Sequence, residues 1–158
     1  RLSDGVIYEV LKATAAEGAV VGCHCENGDL VTAGIAAQKA AGHLGTEAHP
    51  LSRPPLVEAE AVNRYLAIAE LAGTPVNIVH LSTRRGLEAV RAARARGQKL
   101  YVETCPQYLL LDDSRYGLPN FEGAKYVFSG PQPGRPGRAV GGYCHRGHRY
   151  HGHRPLLL

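Results

Sequence analysis

The 158 residues carry a formal net charge of +4, 44% hydrophobic residues, four cysteines and eight histidines. That length suits one domain with a respectable core, and neither a bilayer-length apolar run nor a secretory signal is present, so no membrane contact is expected. All fourteen acidic residues precede residue 130 and leave that part near neutral, so the basic excess belongs to five arginines beyond it; a surplus confined to one tail, with no matching basic patch in the body, argues against a nucleic-acid partner.

The chain opens at Arg1 without a methionine, and a piece of a longer protein is expected. Ser3 is placed to cap a first helix with Ile7, Val10, Leu11 and Ala15 on one face, and Gly18 stops it. The apolar run Ala19–His24 reads as a buried parallel strand. Asn27-Gly28 is a turn signal, after which a helix over Leu30–Ala41 closes at Gly42, its alanines and Gly34 suited to close packing. Thr46–Pro55 reads as a loop. Pro54 and Pro55 suit the first turn of a long helix ending at Gly73. Val62, Tyr65, Leu66, Ala69 and Leu71 form its apolar side, with Glu58, Glu60, Arg64 and Glu70 mostly toward solvent. Val76–Leu81 is the second strand. Ser82 or Thr83 caps a helix carrying Leu87, Val90 and Ala93 inward and ending at Gly97, and Leu100–Cys105 is a third strand halted by Pro106. Helices alternating with strands at these spacings predict a parallel α/β sheet. Periodicity leaves a barrel and an open doubly wound sheet equally open.

His24 and His80 each stand where a strand ends, and in barrels of parallel strands such ends face the active site. Imidazole nitrogen suits zinc and similar borderline metals, whose ligands must converge from separate strands. A lone strand-end histidine is more often a structural, hydrogen-bonded residue, but two in equivalent places bring a shared metal site level with that reading. Glu103 ends the third strand and could face the same mouth, although a paired structural carboxylate is the simpler role. His43 and His49 read as surface residues. Cys23, Cys25 and Cys105 lie in apolar, strand-like contexts and read with Cys144 as free thiols of a cytosolic protein. Cys23-x-Cys25 lacks the two-residue spacer usual in zinc knuckles.

Five blocks then occur in order: His24-Cys-Glu-Asn27, Ser52-Arg-Pro-Pro55, Glu58-Ala-Glu-Ala-Val62 with Arg64, Val79-His-Leu-Ser82, and Glu103-Thr-Cys-Pro-Gln-Tyr-Leu-Leu-Leu-Asp112. From about residue 2 to Ser129 the sequence resembles the middle of a dihydropyrimidinase, also called a D-hydantoinase, of the amidohydrolase superfamily. Dihydroorotases and allantoinases share the fold and match these blocks less closely, and a non-catalytic dihydropyrimidinase-like assembly protein is a further alternative. The resemblance implies part of a (β/α)8 TIM barrel, about three strands with their helices, and two divalent metals, zinc by habit of the family. It implies hydrolysis of the ring amide of dihydropyrimidines or hydantoins to N-carbamoyl amino acids, a cytoplasmic location and a homotetramer. By motif, His24 and His80 fall on the two ligands of the second metal, and Ser129 on a serine that holds the substrate ring through backbone contacts. The His-x-His ligands, the bridging carbamylated lysine and the catalytic aspartate are not in this sequence, so the chain alone is expected to be inactive.

Residues 1–129 are thus expected to form the partial barrel. Residues 130–158, rich in Gly, Pro, His and Arg, show neither helical nor strand period, and their composition predicts disorder. A shifted reading frame accounts for the break. If each true codon takes the last two bases of one tail codon and the first base of the next, Pro136–Val140 permit Gln-Asp-Ala-Leu-Trp. On the same rule Gly152–Leu156 permit Ala-Thr-Asp-His-Cys, which contains the family's catalytic motif. His151 permits only Thr or Met where Val or Ile is expected.

Overall fold

The computed structural model describes residues 2–127. Ser129, Cys144 and the tail from Gly130 onward lie outside the described residues. The elements run α1 (Asp4–Ala16), β1 (Val21–His24), α2 (Gly28–Ala40), α3 (Ala48–Ser52), α4 (Pro55–Ala72), β2 (Val76–Val79), α5 (Arg84–Ala95), β3 (Leu100–Val102) and α6 (Gln107–Leu110). Two 3₁₀ turns, Asp113–Gly117 and Glu122–Tyr126, follow. The three strands form one parallel sheet in the order β1-β2-β3. The α/β alternation expected from the sequence is therefore present as a three-stranded parallel unit.

Helix boundaries follow local chemistry. Ser3 caps α1 by accepting from the Val6 N–H, Pro55 occupies the first turn of α4, and Thr83 caps α5 by accepting from the Gly86 N–H at 3.0 Å. Gly18, Gly42, Gly73 and Gly97, just beyond the four long helices, all have positive φ, the left-handed conformation that ends a helix at no steric cost to glycine.

Register partners share a face of the sheet. Val21 pairs with Val76 and Val76 with Leu100, while Cys23 pairs with Ile78 and Ile78 with Val102. These residues meet Leu11 of α1, the Val62–Ala69 stripe of α4, and Leu87, Val90 and Ala93 of α5 in a single core. Each fully buried aliphatic there contributes about 1.5–3 kcal/mol. The opposite face carries Gly22, His24, Asn77, Val79 and the exposed Tyr101. One face of the sheet thus stabilises the fold and the other presents polar chemistry.

Several expectations need correction. Asn27-Gly28 does not make a free turn: Asn27 Oδ1 accepts from the Asp29 and Leu30 N–H groups at 3.1 and 3.2 Å, so the pair starts α2. The side chain that favours an Asx turn is also a good N-cap. The 46–55 segment contains α3 rather than being wholly loop. α2 and α3 pack closely, and a Cβ on Gly34 would collide with the Ser52 carbonyl, as the small residues of α2 suggested. β2 stops at Val79, short of Leu81, because His80 turns left-handed at φ 42°. β3 stops at Val102, though the Glu103 N–H still donates to Ile78 O at 2.9 Å and the Leu81 N–H to Glu103 O at 2.7 Å.

Candidate metal centre

β1 delivers His24 to the end of the sheet and the adjacent β2 delivers His80 one residue past its own end. His24 Nδ1 and His80 Nε2 approach to 2.9 Å, with ring centroids 4.7 Å apart and planes inclined at 61°. Two imidazole nitrogens on one tetrahedral zinc stand about 3.3 Å apart, close to the 2.9 Å separation of His24 Nδ1 and His80 Nε2. The two residues singled out as one pair are therefore brought together, and their donor atoms fit two positions of a borderline divalent metal. Among the described residues no group of three or more His, Cys, Asp or Glu side chains converges as a metal cluster. The pair offers two nitrogen donors.

The far side of the His24 ring meets Glu26, with Nε2 3.7 Å from Glu26 Oε2, longer than a formed hydrogen bond and an ion pair only when the imidazole is protonated. Arg53 Nη1 holds the same carboxylate oxygen at 3.5 Å. The Glu26 carboxylate makes the His24 imidazole more basic than usual, with burial opposing it in part. The imidazole and then Arg53 keep the Glu26 carboxyl more acidic than usual, again against burial. Since half of the His24 side chain meets solvent, this is a modest orienting contact.

His80 is held from behind. Glu58, expected toward solvent, is instead 6% exposed. Its Oε1 accepts from the Ser82 N–H and the Ser82 hydroxyl, both at 2.8 Å, and its Oε2 from the Thr83 N–H at 2.8 Å and the Thr83 hydroxyl. A buried carboxylate persists only when its oxygens are satisfied in this way. The signal was available in the sequence, because Glu58 falls on the stripe formed by Val62, Tyr65, Leu66 and Ala69. A carboxylate at a core position needs a partner.

The remaining candidates take structural roles. Asn77 Nδ2 donates to Glu103 Oε1 across neighbouring strands, so Glu103 is engaged by a neutral partner on the open face. His43, exposed, shares a hydrogen bond with Gln38 at 2.7 Å. His49 is not a bare surface residue, since its ring packs against Tyr116 with centroids 5.3 Å apart. Cys23, Cys25 and Cys105 are free thiols as expected. Hydrogen bonding from Cys25 brings the Cys23 thiol down to about 7, against the opposing effect of burial. Among the described residues no helix is long and apolar enough to cross a membrane.

The chain has relatives among known proteins. No family model matches it. It is 44% identical over 128 residues to a D-hydantoinase of Geobacillus stearothermophilus, covering 81% of this chain and 27% of that protein. It is 41% identical over 132 residues to a D-phenylhydantoinase of Escherichia coli, covering 83% and 28%. A D-hydantoinase crystal structure superposes with a TM-score of 0.82 at 41% identity over 84% of this chain and 29% of that one. The dihydropyrimidinase of Brevibacillus agri gives 0.81 at 37% identity, over 83% and 28%. Backbone and sequence are both similar to proteins of the hydantoinase and dihydropyrimidinase class. Within that class it is a homologue of the D-hydantoinases over most of its own length, and it spans under a third of the length of the relatives it matches.

Proposed function

We propose that this chain is the middle portion of a metal-dependent cyclic amidohydrolase that opens the ring amide of hydantoins or dihydropyrimidines to give N-carbamoyl amino acids. The observation that carries the reading is the convergence of His24 Nδ1 and His80 Nε2 at 2.9 Å from the ends of adjacent parallel strands. The names of the relatives, D-hydantoinase and D-phenylhydantoinase, supply the substrate class. The three strands then form one arc of a (β/α)8 barrel, with the open face carrying His24 and Asn77 turned to its interior. His24 and His80 hold one of two divalent cations, zinc being the best match to imidazole donors. Such a metal pair, when bound, makes hydroxide available at neutral pH and polarises the scissile carbonyl. The chain's own residues orient the donors: Glu26 meets the outer edge of His24, and the β2 terminus presents His80.

The same proposal assigns Ser129 to the substrate, through backbone contacts with the ring. It places the complete protein in the cytoplasm as a homotetramer without nucleic-acid partners, and reads residues 130–158 in a shifted frame beyond the barrel portion 1–129. The chain by itself is expected not to hydrolyse either ring.

A chimera tests the function. Residues 2–127 replace the matching segment of the Geobacillus D-hydantoinase, and hydantoin hydrolysis and bound metal are measured. A folded chimera should retain both, and should lose metal and activity with His24→Ala or His80→Ala. A folded chimera that binds no metal, or whose activity survives both substitutions, would refute the reading. Sequencing the DNA across codons 129–158 tests the tail, which should show the Trp and Thr-Asp-His-Cys strings in a neighbouring frame.

A further inference from the structure

We propose that Glu58 is the positioning residue of the histidine pair: its buried carboxylate, acting through Ser82 and Thr83, sets the turn that directs His80 toward His24. The proposal deepens the metal-site reading and rests on it for its second measurement only.

His80 leaves β2 with φ 42°, a conformation that side-chain-bearing residues enter rarely and keep only when their surroundings impose it. The chain on its C-terminal side is pinned within three residues. Leu81 is fixed from both directions, its N–H donating to Glu103 O at 2.7 Å and its carbonyl accepting from the Thr104 hydroxyl at 2.8 Å. Ser82 and Thr83 each give Glu58 one backbone N–H and one hydroxyl.

A carboxylate offers about four acceptor positions, and here all four are taken. Glu58 has no capacity left for a metal or a substrate, which distinguishes it from a ligand and leaves orientation as its role. The space around it is equally committed. A Cβ on Gly86 would lie 2.7 Å from Glu58 Oε2 and 2.6 Å from Leu81 Cδ1. Thr83 Oγ1 completes the connection by accepting from the Gly86 N–H at 3.0 Å, so one carboxylate ties α4, the β2 terminus and the start of α5 together. The backbone on which His80 turns has one anchor in α4 and one in the β3 terminus.

The test compares the full chain with its Glu58→Gln variant. Gln keeps the shape but replaces one acceptor oxygen with a donor that faces the Ser82 or Thr83 donors. The first readout is the nuclear Overhauser contact between the His24 and His80 rings, whose centroids lie 4.7 Å apart. The second is cobalt(II) affinity by calorimetry. With helix content unchanged, Glu58→Gln should abolish the ring contact and weaken cobalt binding 10- to 100-fold, the usual effect of removing a group that orients a ligand. In a His80→Ala background it should cause no further loss. Glu70→Gln, an exposed site on the same helix paired with Arg96, should change neither readout.

A folded Glu58→Gln that keeps the ring contact overturns the proposal, as does an equal loss of affinity in the His80→Ala background. If Glu58→Gln does not fold, Ser82→Ala removes one of the four bonds and should weaken the ring contact, and an unchanged contact again overturns the proposal. If the wild-type chain shows the ring contact but binds no cobalt, the metal-site reading fails and the ring contact alone decides the role of Glu58.

Discussion

Glu26 stands 3.7 Å from Nε2 of His24, on the opposite edge of the ring from His80. That arrangement favours the tautomer with the proton on Nε2, leaving the Nδ1 lone pair toward His80. A carboxylate behind an imidazole ligand fixes its orientation and raises its basicity as a donor. Glu26→Gln should therefore weaken zinc binding by about 10-fold, measured by competition with a chromophoric chelator. Equal affinity in the two proteins would mean that Arg53, not His24, is the functional partner of this carboxylate.

Two glycine substitutions should move stability in opposite directions. Gly86→Ala forces a methyl into Glu58 and Leu81, and overpacking of that kind costs about 1–3 kcal/mol. Gly5→Ala, in α1, meets nothing within 4 Å and should gain up to about 1 kcal/mol from helix propensity. Urea midpoints of the two variants against wild type measure the split. A neutral Gly86→Ala would show that the Glu58 turn yields easily.

These contrasts mark where the sequence was readable. Ser3, Pro55, Thr83 and the glycines at 18, 42, 73 and 97 act within a few residues of themselves, so the ends of the long helices follow from local chemistry. The apolar runs ending at His24 and His80 located the pair, because strand ends are marked by the loss of hydrophobic continuity. What the sequence concealed is non-local. The left-handed turn at His80 depends on Glu58, which reaches Ser82 from 24 residues earlier. The core stripe of α4 marked Glu58 for burial, but not Ser82 and Thr83 as the partners that couple it to the end of β2. His49 looked superficial because Tyr116, its ring neighbour, arrives from a distant 3₁₀ turn.

The start of α2 gives a third prediction. Asn27 Oδ1 accepts from Asp29 and Leu30, and its Nδ2 donates to Glu60 Oε2 at 2.6 Å. Asn27→Ala removes both functions and should cost about 1 kcal/mol or somewhat more. Asn27→Asp keeps a good cap but sets a second carboxylate against Glu60. It should therefore be less stable than wild type at neutral pH, and raised salt should narrow the gap by screening the repulsion. Urea denaturation at low and high ionic strength distinguishes the two, since the Asn27→Ala deficit should be largely independent of salt.

Tyr65 couples the fold to pH on the alkaline side. It is 4% exposed, and its hydroxyl donates to Val21 O at 3.0 Å, joining α4 to β1. Burial chiefly, and the Cys23 and Cys25 thiols after it, push its ionisation well above the ordinary 10.0. The folded chain therefore holds this proton more tightly than the unfolded chain. The associated stability is fully present below pH 10 and is lost as pH rises through the raised value. Tyr65→Phe should lose about 1 kcal/mol at neutral pH, where only the hydrogen bond is missing, and should then decline less steeply than wild type above pH 10. Tyr108 and Tyr116, whose ionisation burial also raises, keep a residual slope in both proteins. Urea midpoints followed from pH 8 upward read the difference directly, and parallel curves for the two proteins would show that the Tyr65 hydroxyl is not coupled to folding.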